Sequence, residues 1–313
     1  MNHNAGSRRQ FLQGMGALGG CALASPALAA GQSKTRLILL GTGGGPRPRK
    51  SSSAAAQVVV INDQAYVIDC GDGVARQLVL AGIPLSSLRH VFITHQHSDH
   101  NADYGNLLLL AWTAGLRTPV DCWGPPPLRD ITEHFFAMNA FDIRTRIEDE
   151  GRLPLQPLVK VHELSEGGLV FQDETVRVRT VLVDHPPVVP ALGYRFDSAD
   201  RSIVISGDTR MSEKLIDLAR GADVLVHEAM YPAAVERLVA RVPNASRLRQ
   251  SILSHHTSAE DAGRVANAAG VKTLVLSHLV PPEDPELTEE MWVDAARKHF
   301  VGRVVLGKDL LEI

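Results

Sequence analysis

The sequence is poor in cysteine, in long apolar runs and in any excess of one charge. Only three cysteines occur in 313 residues, too few for a fold that depends on disulfide bonds. Beyond the N-terminus, no uncharged apolar stretch reaches the roughly 18 residues that a membrane-spanning helix needs. The 32 basic and 35 acidic residues are interspersed and give a net charge of −3, so the sequence indicates no basic track for a nucleic-acid backbone.

The first thirty residues differ in composition from the rest of the chain. Arg8 and Arg9 precede an apolar stretch rich in glycine and alanine, and a small-residue cleavage site ends at Ala29. This order is typical of a twin-arginine export signal. Five glycines in the first 20 residues argue against an ordinary helix, because each would cost roughly 1 kcal/mol. We predict a signal peptide over 1–29, export by the twin-arginine machinery, and a mature domain, 30–313, in the periplasm or secreted.

The cysteines leave a second processing route open. Leu18-Gly19-Gly20-Cys21 resembles a lipoprotein processing site, which would leave Cys21 lipidated and the protein anchored to a membrane. We favour soluble release, because the alanine-rich stretch that follows ends in its own cleavage site. Cys70 and Cys122 are the cysteines of the mature part, and we interpret both as buried free thiols.

Apolar runs that end in turn residues alternate with stretches of helical spacing, which predicts one α/β domain without an internal repeat. Two β-branched runs flank Asn62-Asp63-Gln64 and predict a hairpin. The cluster Gly41–Gly45 lacks the Lys-Ser/Thr end of a phosphate-binding loop, and we interpret it as a tight turn. The predicted strands are 36–40, 57–61, 65–69, 89–94, 176–183, 202–206, 224–227 and 273–277. The predicted helices are 74–81, 103–114, 212–219, 258–269 and 289–300.

Four side chains that can bind metal occur within six residues directly after a predicted strand. They are His95, His97, Asp99 and His100. The i, i+2 spacings allow two imidazoles and a carboxylate to converge from the end of a strand, and a mixture of histidine and aspartate suits a divalent ion such as zinc. Since a rigid strand would hold the loop that carries these ligands, the motif predicts a metal-dependent catalytic site.

Three further polar residues end apolar runs in the second half of the chain. His185 follows Val181–Asp184, Asp208 follows the run that ends at Gly207, and His278 follows the run that ends at Ser277. Each alone could be an ordinary turn residue. Together with the four residues of the motif they provide enough ligands for two metal ions.

These motifs resemble the metallo-β-lactamase superfamily, whose fold is an αββα sandwich. Within it, the chain is most similar to ribonuclease Z and to its short phosphodiesterase and arylsulfatase relatives, over nearly all residues from Lys34 onward. The subfamily features are Leu40-Gly41-Thr42-Gly43-Gly44-Gly45, Asp69-Cys70-Gly71-Asp72-Gly73, Ser206-Gly207-Asp208-Thr209, His227-Glu228-Ala229, and His256 ahead of His278.

The resemblance implies two zinc ions and a metal-bridging hydroxide that attacks the substrate. It places His95, His97 and His185 on the first ion, Asp99, His100 and His278 on the second, and Asp208 between them. Asp99, Glu228 and His256 are the predicted catalytic residues, with His256 close to the leaving group. His255 is an alternative to its neighbour in that role.

The chain departs from ribonuclease Z in one region. Only 22 residues separate His185 from Asp208, where the family carries a long arm that grips transfer RNA. With the export signal and the balanced charge, this favours hydrolysis of a small phosphodiester or aryl sulfate ester and makes nucleic acid an unlikely partner. The alternatives are a ribonuclease Z-type endoribonuclease and a β-lactam or lactone hydrolase. A homodimer also stays open.

Other classes of protein fit less well. A diiron oxidoreductase would usually carry glutamate in place of His97, and an inert relative would have lost ligands. Part of the aromatic set in 101–184 offers an apolar substrate pocket beside the metals as one interpretation, but core packing is favoured for most of these residues. The aromatic set is Trp112, Trp123, Phe135, Phe136 and Phe141.

The export hypothesis is tested by changing both Arg8 and Arg9 to lysine. We expect a precursor that stays in the cytoplasm, whereas the wild-type chain is found outside it with an N-terminus near Ala30. Cell fractionation and mass spectrometry of the N-terminus measure both. Unchanged export of the double variant would contradict the twin-arginine route, and a diacylated Cys21 would favour the lipoprotein alternative.

Overall fold

Two β-sheets pack face to face, with helices on the outer side of each, in the computed structural model, which describes residues 35–313. The predicted αββα sandwich is therefore confirmed. The predicted signal peptide over 1–29 and the alternative lipid site at Cys21 lie outside the described residues. Among residues 35–313, no helix is both long enough and apolar enough to cross a membrane.

The first sheet contains the strands of the N-terminal half in chain order. Its first three strands form an antiparallel meander, and its last four run parallel. The strands are β1 (Arg36–Gly41), β2 (Ala56–Ile61), β3 (Gln64–Ile68), β4 (Leu88–Phe92), β5 (Val120–Gly124) and β6 (Val159–Glu163).

The second sheet contains seven strands, in the spatial order β13-β12-β11-β10-β9-β8-β7. Its first four strands in the chain are antiparallel, and its last four are parallel. They are β7 (Gly168–Gln172), β8 (Val176–Leu182), β9 (Leu192–Ser198), β10 (Ser202–Ile205), β11 (Val224–Met230), β12 (Thr273–Val280) and β13 (Arg303–Leu306).

The α-helices flank the sheets and cover their outer faces. Those of the first half are α1 (Val74–Leu80), α2 (Ser98–Asn101), α3 (Tyr104–Thr113), α4 (Leu128–Met138) and α5 (Ala140–Glu150). Those of the second half are α6 (Glu213–Ala219), α7 (Val235–Val239), α8 (Leu248–His255), α9 (Ala259–Ala269) and α10 (Glu289–Arg297). The sequence pattern predicted α1, α3, α6, α9 and α10 but missed the rest.

Strand β1 shows why its sequence is an unbroken apolar run. Leu37 and Leu39 point into the layer between the sheets, where they pack with Phe92 and with residues of the second sheet. Ile38 and Leu40 point to the opposite face and join the core beneath α1 and α3. Because successive residues of a strand face opposite sides, a strand buried on both faces must be apolar throughout.

Local signals in the sequence fix two of the connections. Asn62 and Asp63 have φ angles of 50° and 61° and form the tight turn of the predicted β2–β3 hairpin. Ser258 caps α9, since its Oγ accepts a hydrogen bond from the Asp261 N–H at 3.0 Å. In the same helix a Cβ on Gly263 would lie 2.2 Å from the Ala296 carbonyl oxygen, so only glycine allows α9 and α10 to approach this closely.

The two cysteines of the described residues agree with the sequence interpretation. Cys70 and Cys122 are free and fully buried. Burial raises the pKa of both thiols, because a thiolate would lose its hydration in the apolar core. They therefore act as small core residues, and the fold depends on no disulfide bond within residues 35–313.

Candidate metal centre

The predicted metal ligands meet at one end of the sandwich, where strands of both sheets end. His95 follows β4 of the first sheet, while His185 follows β8 and Asp208 follows β10 of the second sheet. Since the two sheets face each other, the residues that follow these strands are brought to a common edge. The structure places all seven predicted ligands in two groups there, and Asp208 belongs to both groups.

The first group consists of His95, His97, His185 and Asp208. His95 Nε2 and His185 Nε2 lie 3.0 and 3.2 Å from His97 Nδ1. Asp208 Oδ2 lies 3.8 Å from His95 Nε2 and 3.9 Å from His185 Nε2. Three imidazole nitrogens and one carboxylate oxygen therefore surround a single point.

The second group consists of Asp99, His100, Asp208 and His278. His278 Nε2 lies 3.2 Å from both Asp99 Oδ2 and Asp208 Oδ2. His100 Nε2 lies 3.2 Å from Asp208 Oδ1 and 3.7 Å from Asp99 Oδ2. Asp208 Oδ2 thus lies between the two groups and Oδ1 faces His100, so this carboxylate borders both groups.

These separations fit a tetrahedral metal site. Zn–N bonds of about 2.0–2.1 Å place neighbouring ligand atoms about 3.3 Å apart, close to the spacings in both groups. His100 Nε2 and Asp208 Oδ1 are also buried without a hydrogen-bond partner in residues 35–313. A buried polar atom of this kind needs a partner, and a divalent cation between the two groups would supply it.

Supporting hydrogen bonds orient the imidazoles. His100 Nδ1 donates to Asp69 Oδ2 at 2.7 Å, and His185 Nδ1 donates to the His255 carbonyl oxygen at 3.1 Å. In the neutral form of both rings this leaves Nε2 without a proton and directed at the metal group. Such partners fix the tautomer and the ring orientation of a metal-binding histidine. Burial would lower the pKa of His100, but the carboxylates of Asp208, Asp69 and Asp99 raise it well above 6.5, so an ion at Nε2 would take the place of a proton.

Burial keeps two of the first-group histidines neutral. It lowers the pKa of His95 well below 6.5, and it lowers the pKa of His185 to about 4. For Asp208, burial would raise the pKa, but the facing imidazoles of His278 and His100 hold it well below its ordinary value. Neutral imidazoles and an ionised carboxylate are the forms that bind metal.

His278 reaches the site differently from the sequence prediction. We expected a strand that ends before it, but β12 continues to Val280. Glu228 pairs with Ser277 and Ala229 with Leu279, so His278 is an extra residue in a bulge, with φ 46°. A bulge redirects one side chain without ending the strand, and here it turns the imidazole toward Asp99.

The glycine loop, residues 41–47, packs directly against two ligands. The Gly45 N–H donates to Asp99 Oδ2 at 2.8 Å. A Cβ on Gly44 would lie 2.8 Å from the imidazole of His278. The tight turn inferred from the sequence therefore also positions metal ligands, and a side chain at residue 44 would displace His278.

Glu228, which is buried, and His256, which is partly buried, form a pair beside the second group. His256 Nδ1 donates to Glu228 Oε2 at 2.8 Å, and Glu228 Oε1 accepts from the Thr209 N–H at 2.6 Å. Burial would lower the pKa of His256, but the Glu228 carboxylate dominates and raises it to about 9. His255 differs, because its carbonyl holds His185 while its ring lies 3.3 Å from the Ser251 hydroxyl. The geometry thus favours His256 over His255 as the residue that faces the site.

A cleft of about 340 Å³ opens above the metal groups. Its floor carries His97, Asp99, Asp208, His256 and His278. One wall is apolar and comes largely from the segment between β11 and α9. The apolar residues are Leu238, Val242, Ala245, Leu248, Ile252 and Val280.

The apolar wall does not come from the aromatic residues of 101–184, for most of which core packing was favoured. None of the five aromatic residues of 101–184 lines the cleft. Trp112 and Phe136 pack in a small core with α5, and Phe141 is 75% exposed on the outer surface. For Trp112 and Phe136, the core alternative is correct.

Asp69 and Thr94 are functional candidates to which the residue pattern assigned no role, although Asp69 begins one of the motifs that resemble ribonuclease Z. Asp69 accepts hydrogen bonds from the Thr94 N–H at 2.7 Å, the Thr94 hydroxyl at 2.9 Å and His100 Nδ1. It has a φ of 61° directly after β3, next to the strand that leads to His95. A buried acid after an apolar strand was the available signal. It supports the site by holding His100.

Metal content tests the two groups. We expect two divalent ions per metal-replete chain, and His95→Ala and His278→Ala should each lose one, because each removes a ligand from one group only. Elemental analysis of purified protein measures this. His162→Ala should retain both ions, since His162 pairs with Asp121 at 2.7 Å away from the site. A wild-type protein with at most one ion would contradict the assignment.

The Glu228–His256 pair makes a second prediction. Glu228→Gln removes the negative charge that does most to raise the pKa of His256, so this pKa should fall from about 9. Burial is then opposed only by the charges of Asp208 and Asp99, which raise the pKa less than Glu228 does. NMR titration of the metal-free protein measures this shift, with the exposed Glu289→Gln as control. A pKa of His256 near 9 in the Glu228 variant would refute the role of the carboxylate.

Comparison with known proteins agrees with this geometry. Residues 64–279 match the family model described as a beta-lactamase superfamily domain. Ribonuclease Z of Mycobacterium bovis is 35% identical over 277 residues, which cover 88% of this chain and 96% of that protein. Ribonuclease Z of Mycobacterium sp. strain KMS is 36% identical over 276 residues, with 88% and 94% covered.

Solved structures share the fold at low sequence identity. The metallo-β-lactamase fold protein YhfI of Bacillus subtilis has a TM-score of 0.67 at 19% identity and covers 90% of this chain and 99% of its own. The short form of human tRNase Z has a TM-score of 0.63 at 21% identity, with 89% and 98% covered. The chain therefore belongs to the metallo-β-lactamase superfamily, and its curated relatives place it with the ribonuclease Z proteins.

Proposed function

We propose that this protein is a metal-dependent phosphodiesterase of the ribonuclease Z type that cleaves RNA. The observation that carries the proposal is Asp208, which faces both ligand groups on the floor of a cleft and is accompanied there by a protonated His256. Relatives at 35–36% identity that bear the name ribonuclease Z support RNA as the substrate. This displaces the preference for a small ester that the sequence suggested.

The residues divide the work of phosphodiester hydrolysis. Two bound divalent ions would lower the pKa of water toward about 7 and offset charge on the phosphoryl oxygens. His256 is held through Nδ1 by Glu228, so its Nε2–H is free to give a proton to the departing oxygen. Asp99 is held by the Gly45 N–H and by its contact with His278. Its carboxylate is therefore already positioned for metal binding in the metal-free protein.

The short connection between His185 and Asp208 does not argue against an RNA substrate. The 277 residues aligned with the M. bovis protein make up 88% of this chain and 96% of that one. The aligned lengths therefore leave no net insertion the size of an arm in that relative, which nevertheless carries the name ribonuclease Z. The expectation that nucleic acid is an unlikely partner does not fit these relatives.

A second candidate function rests on the apolar wall of the cleft. Leu238, Val242 and Ile252 face the metal groups, and such a surface suits an apolar or aromatic leaving group. A small phosphodiester or aryl sulfate ester would fit there. Location outside the cytoplasm remains part of this second proposal, because the predicted signal peptide over 1–29 supports it.

Turnover of four substrates tests both candidates. We expect the zinc-loaded mature protein to cleave precursor transfer RNA and bis-p-nitrophenyl phosphate, and to leave p-nitrophenyl sulfate and nitrocefin nearly intact. Glu228→Gln and His256→Ala should lower kcat by roughly 10²- to 10⁴-fold with little change in KM, because proton transfer acts in the transition state. The exposed Glu289→Gln serves as control.

The possible contrary results identify the alternatives. Faster turnover of the sulfate ester or of nitrocefin than of either phosphodiester would overturn the proposed reaction. Hydrolysis of bis-p-nitrophenyl phosphate without any cleavage of RNA would instead favour the small ester.

A further inference from the structure

A second depression adjoins the metal cleft. It has a volume of about 240 Å³, and we call it the arginine groove. Arg47, Arg49, Arg241, Leu238 and Glu283 contribute to its lining. Arg47 and Leu238 also line the metal cleft. The two depressions therefore border each other at these two residues, and a chain bound at the metals that passes them reaches the groove.

Arg49 builds the groove and is not free to bind a ligand. Its Nη1 donates to the carbonyl oxygens of Gly45 at 2.6 Å and Arg47 at 2.9 Å, and its Nη2 donates to that of Gly43 at 3.1 Å. The guanidinium is thus enclosed by the glycine loop. Arg49 thereby fixes the loop that carries both the Arg47 side chain and the Gly45 N–H.

Arg47 and Arg241 are the free cations of the groove. Both are exposed, and neither forms an ion pair with any acid of residues 35–313. They approach the groove from separate parts of the chain, the glycine loop and the turn after α7. Neighbouring Arg237 differs, because it pairs with Asp284 and Glu286.

Glu283 does not cancel these charges. Its carboxylate accepts hydrogen bonds from the Ser51 N–H at 2.6 Å, the Ser51 hydroxyl at 2.7 Å and the Lys50 N–H at 3.3 Å. The groove therefore combines three guanidinium groups with one carboxylate that is already occupied. This excess of positive charge next to a phosphodiester site favours an anion, and guanidinium groups bind phosphate in a forked geometry.

We propose that the arginine groove is a second phosphate subsite, in which Arg47 and Arg241 bind the phosphodiester next to the one that is cleaved in a single-stranded oligonucleotide. This inference rests on the proposed phosphodiesterase function and adds a requirement about substrate length. A substrate with one phosphate uses the metal cleft alone. A longer strand also gains the two arginines.

The test compares two probes on the zinc-loaded protein, the dinucleotide UpU and the tetranucleotide UpUpUpU. The wild type should prefer the tetranucleotide, through a lower KM, by more than its larger number of bonds accounts for. Arg241→Gln and Arg47→Gln should each reduce this preference about 3- to 10-fold. In the double variant the plot of log affinity against log salt concentration should become shallower by roughly 1.4, because two phosphate contacts are lost.

Arg177→Gln is the matched control. Arg177 is exposed, lies in β8 at the end far from His185, and lines neither depression. It should retain the wild-type preference. The subsite is refuted if the wild type shows no preference for the tetranucleotide, or if the double variant keeps the wild-type preference and salt slope.

A binding measurement separates this inference from the proposed reaction. Fluorescence anisotropy of a fluorescein-labelled phosphorothioate tetra-uridylate reports affinity without cleavage. Binding that weakens in the Arg47 and Arg241 variants supports the subsite even if wild-type protein hydrolyses no phosphodiester. Hydrolysis of bis-p-nitrophenyl phosphate together with oligonucleotide binding that ignores both arginines would refute the subsite and leave the proposed reaction intact.

Discussion

The structure depends on the crowding of polar atoms at the common edge of its two sheets. His95 Nε2 and His185 Nε2 lie 3.0 and 3.2 Å from His97 Nδ1, so three imidazole nitrogens crowd into one space. An ionised, fully buried Asp208 lies beside them. Without a cation this arrangement lowers the stability of the fold, because an unpaired buried charge loses several kcal/mol of hydration free energy. A bound cation would offset that loss by accepting the lone pairs. The packing of the two sheets must therefore keep the ligand atoms buried and close to each other in the metal-free protein.

Rigid strands meet this requirement for most ligands, and this explains what the sequence could predict. His95, His185 and Asp208 follow apolar runs, and such runs become strands whose ends are fixed by the sheet. Their side chains could thus be assigned to one edge without knowledge of the fold. His278 could not be placed correctly, because a bulge in β12 depends on how β11 and β12 pair. Pairing between distant segments is a tertiary property that leaves no periodic signal in either strand.

The apolar wall of the cleft could not be predicted from the sequence, for a related reason. Helices α7 and α8 have only five and eight residues, too short for a helical pattern to stand out. Leu238 and Ile252 look like ordinary core positions until the fold brings them opposite the metal groups. The aromatic residues of 101–184 show the opposite case. Trp112 and Phe136 are conspicuous in the sequence, but a large apolar side chain is more often buried in a core than exposed in a binding cleft.

Reaction chemistry and substrate choice thus lie on different parts of the chain, which is why a shared fold does not settle a shared substrate. Strand ends supply the ligands, whereas the segment from β11 to α9 and the glycine loop shape what approaches them. The glycine loop belongs to both parts. The backbone N–H of Gly45 in this loop positions Asp99. Arg47, two residues further along the loop, lines the cleft with its side chain. Arg49 fixes both, because one guanidinium holds the carbonyls on either side. A change that loosens Arg49 would therefore disturb metal binding and substrate binding together.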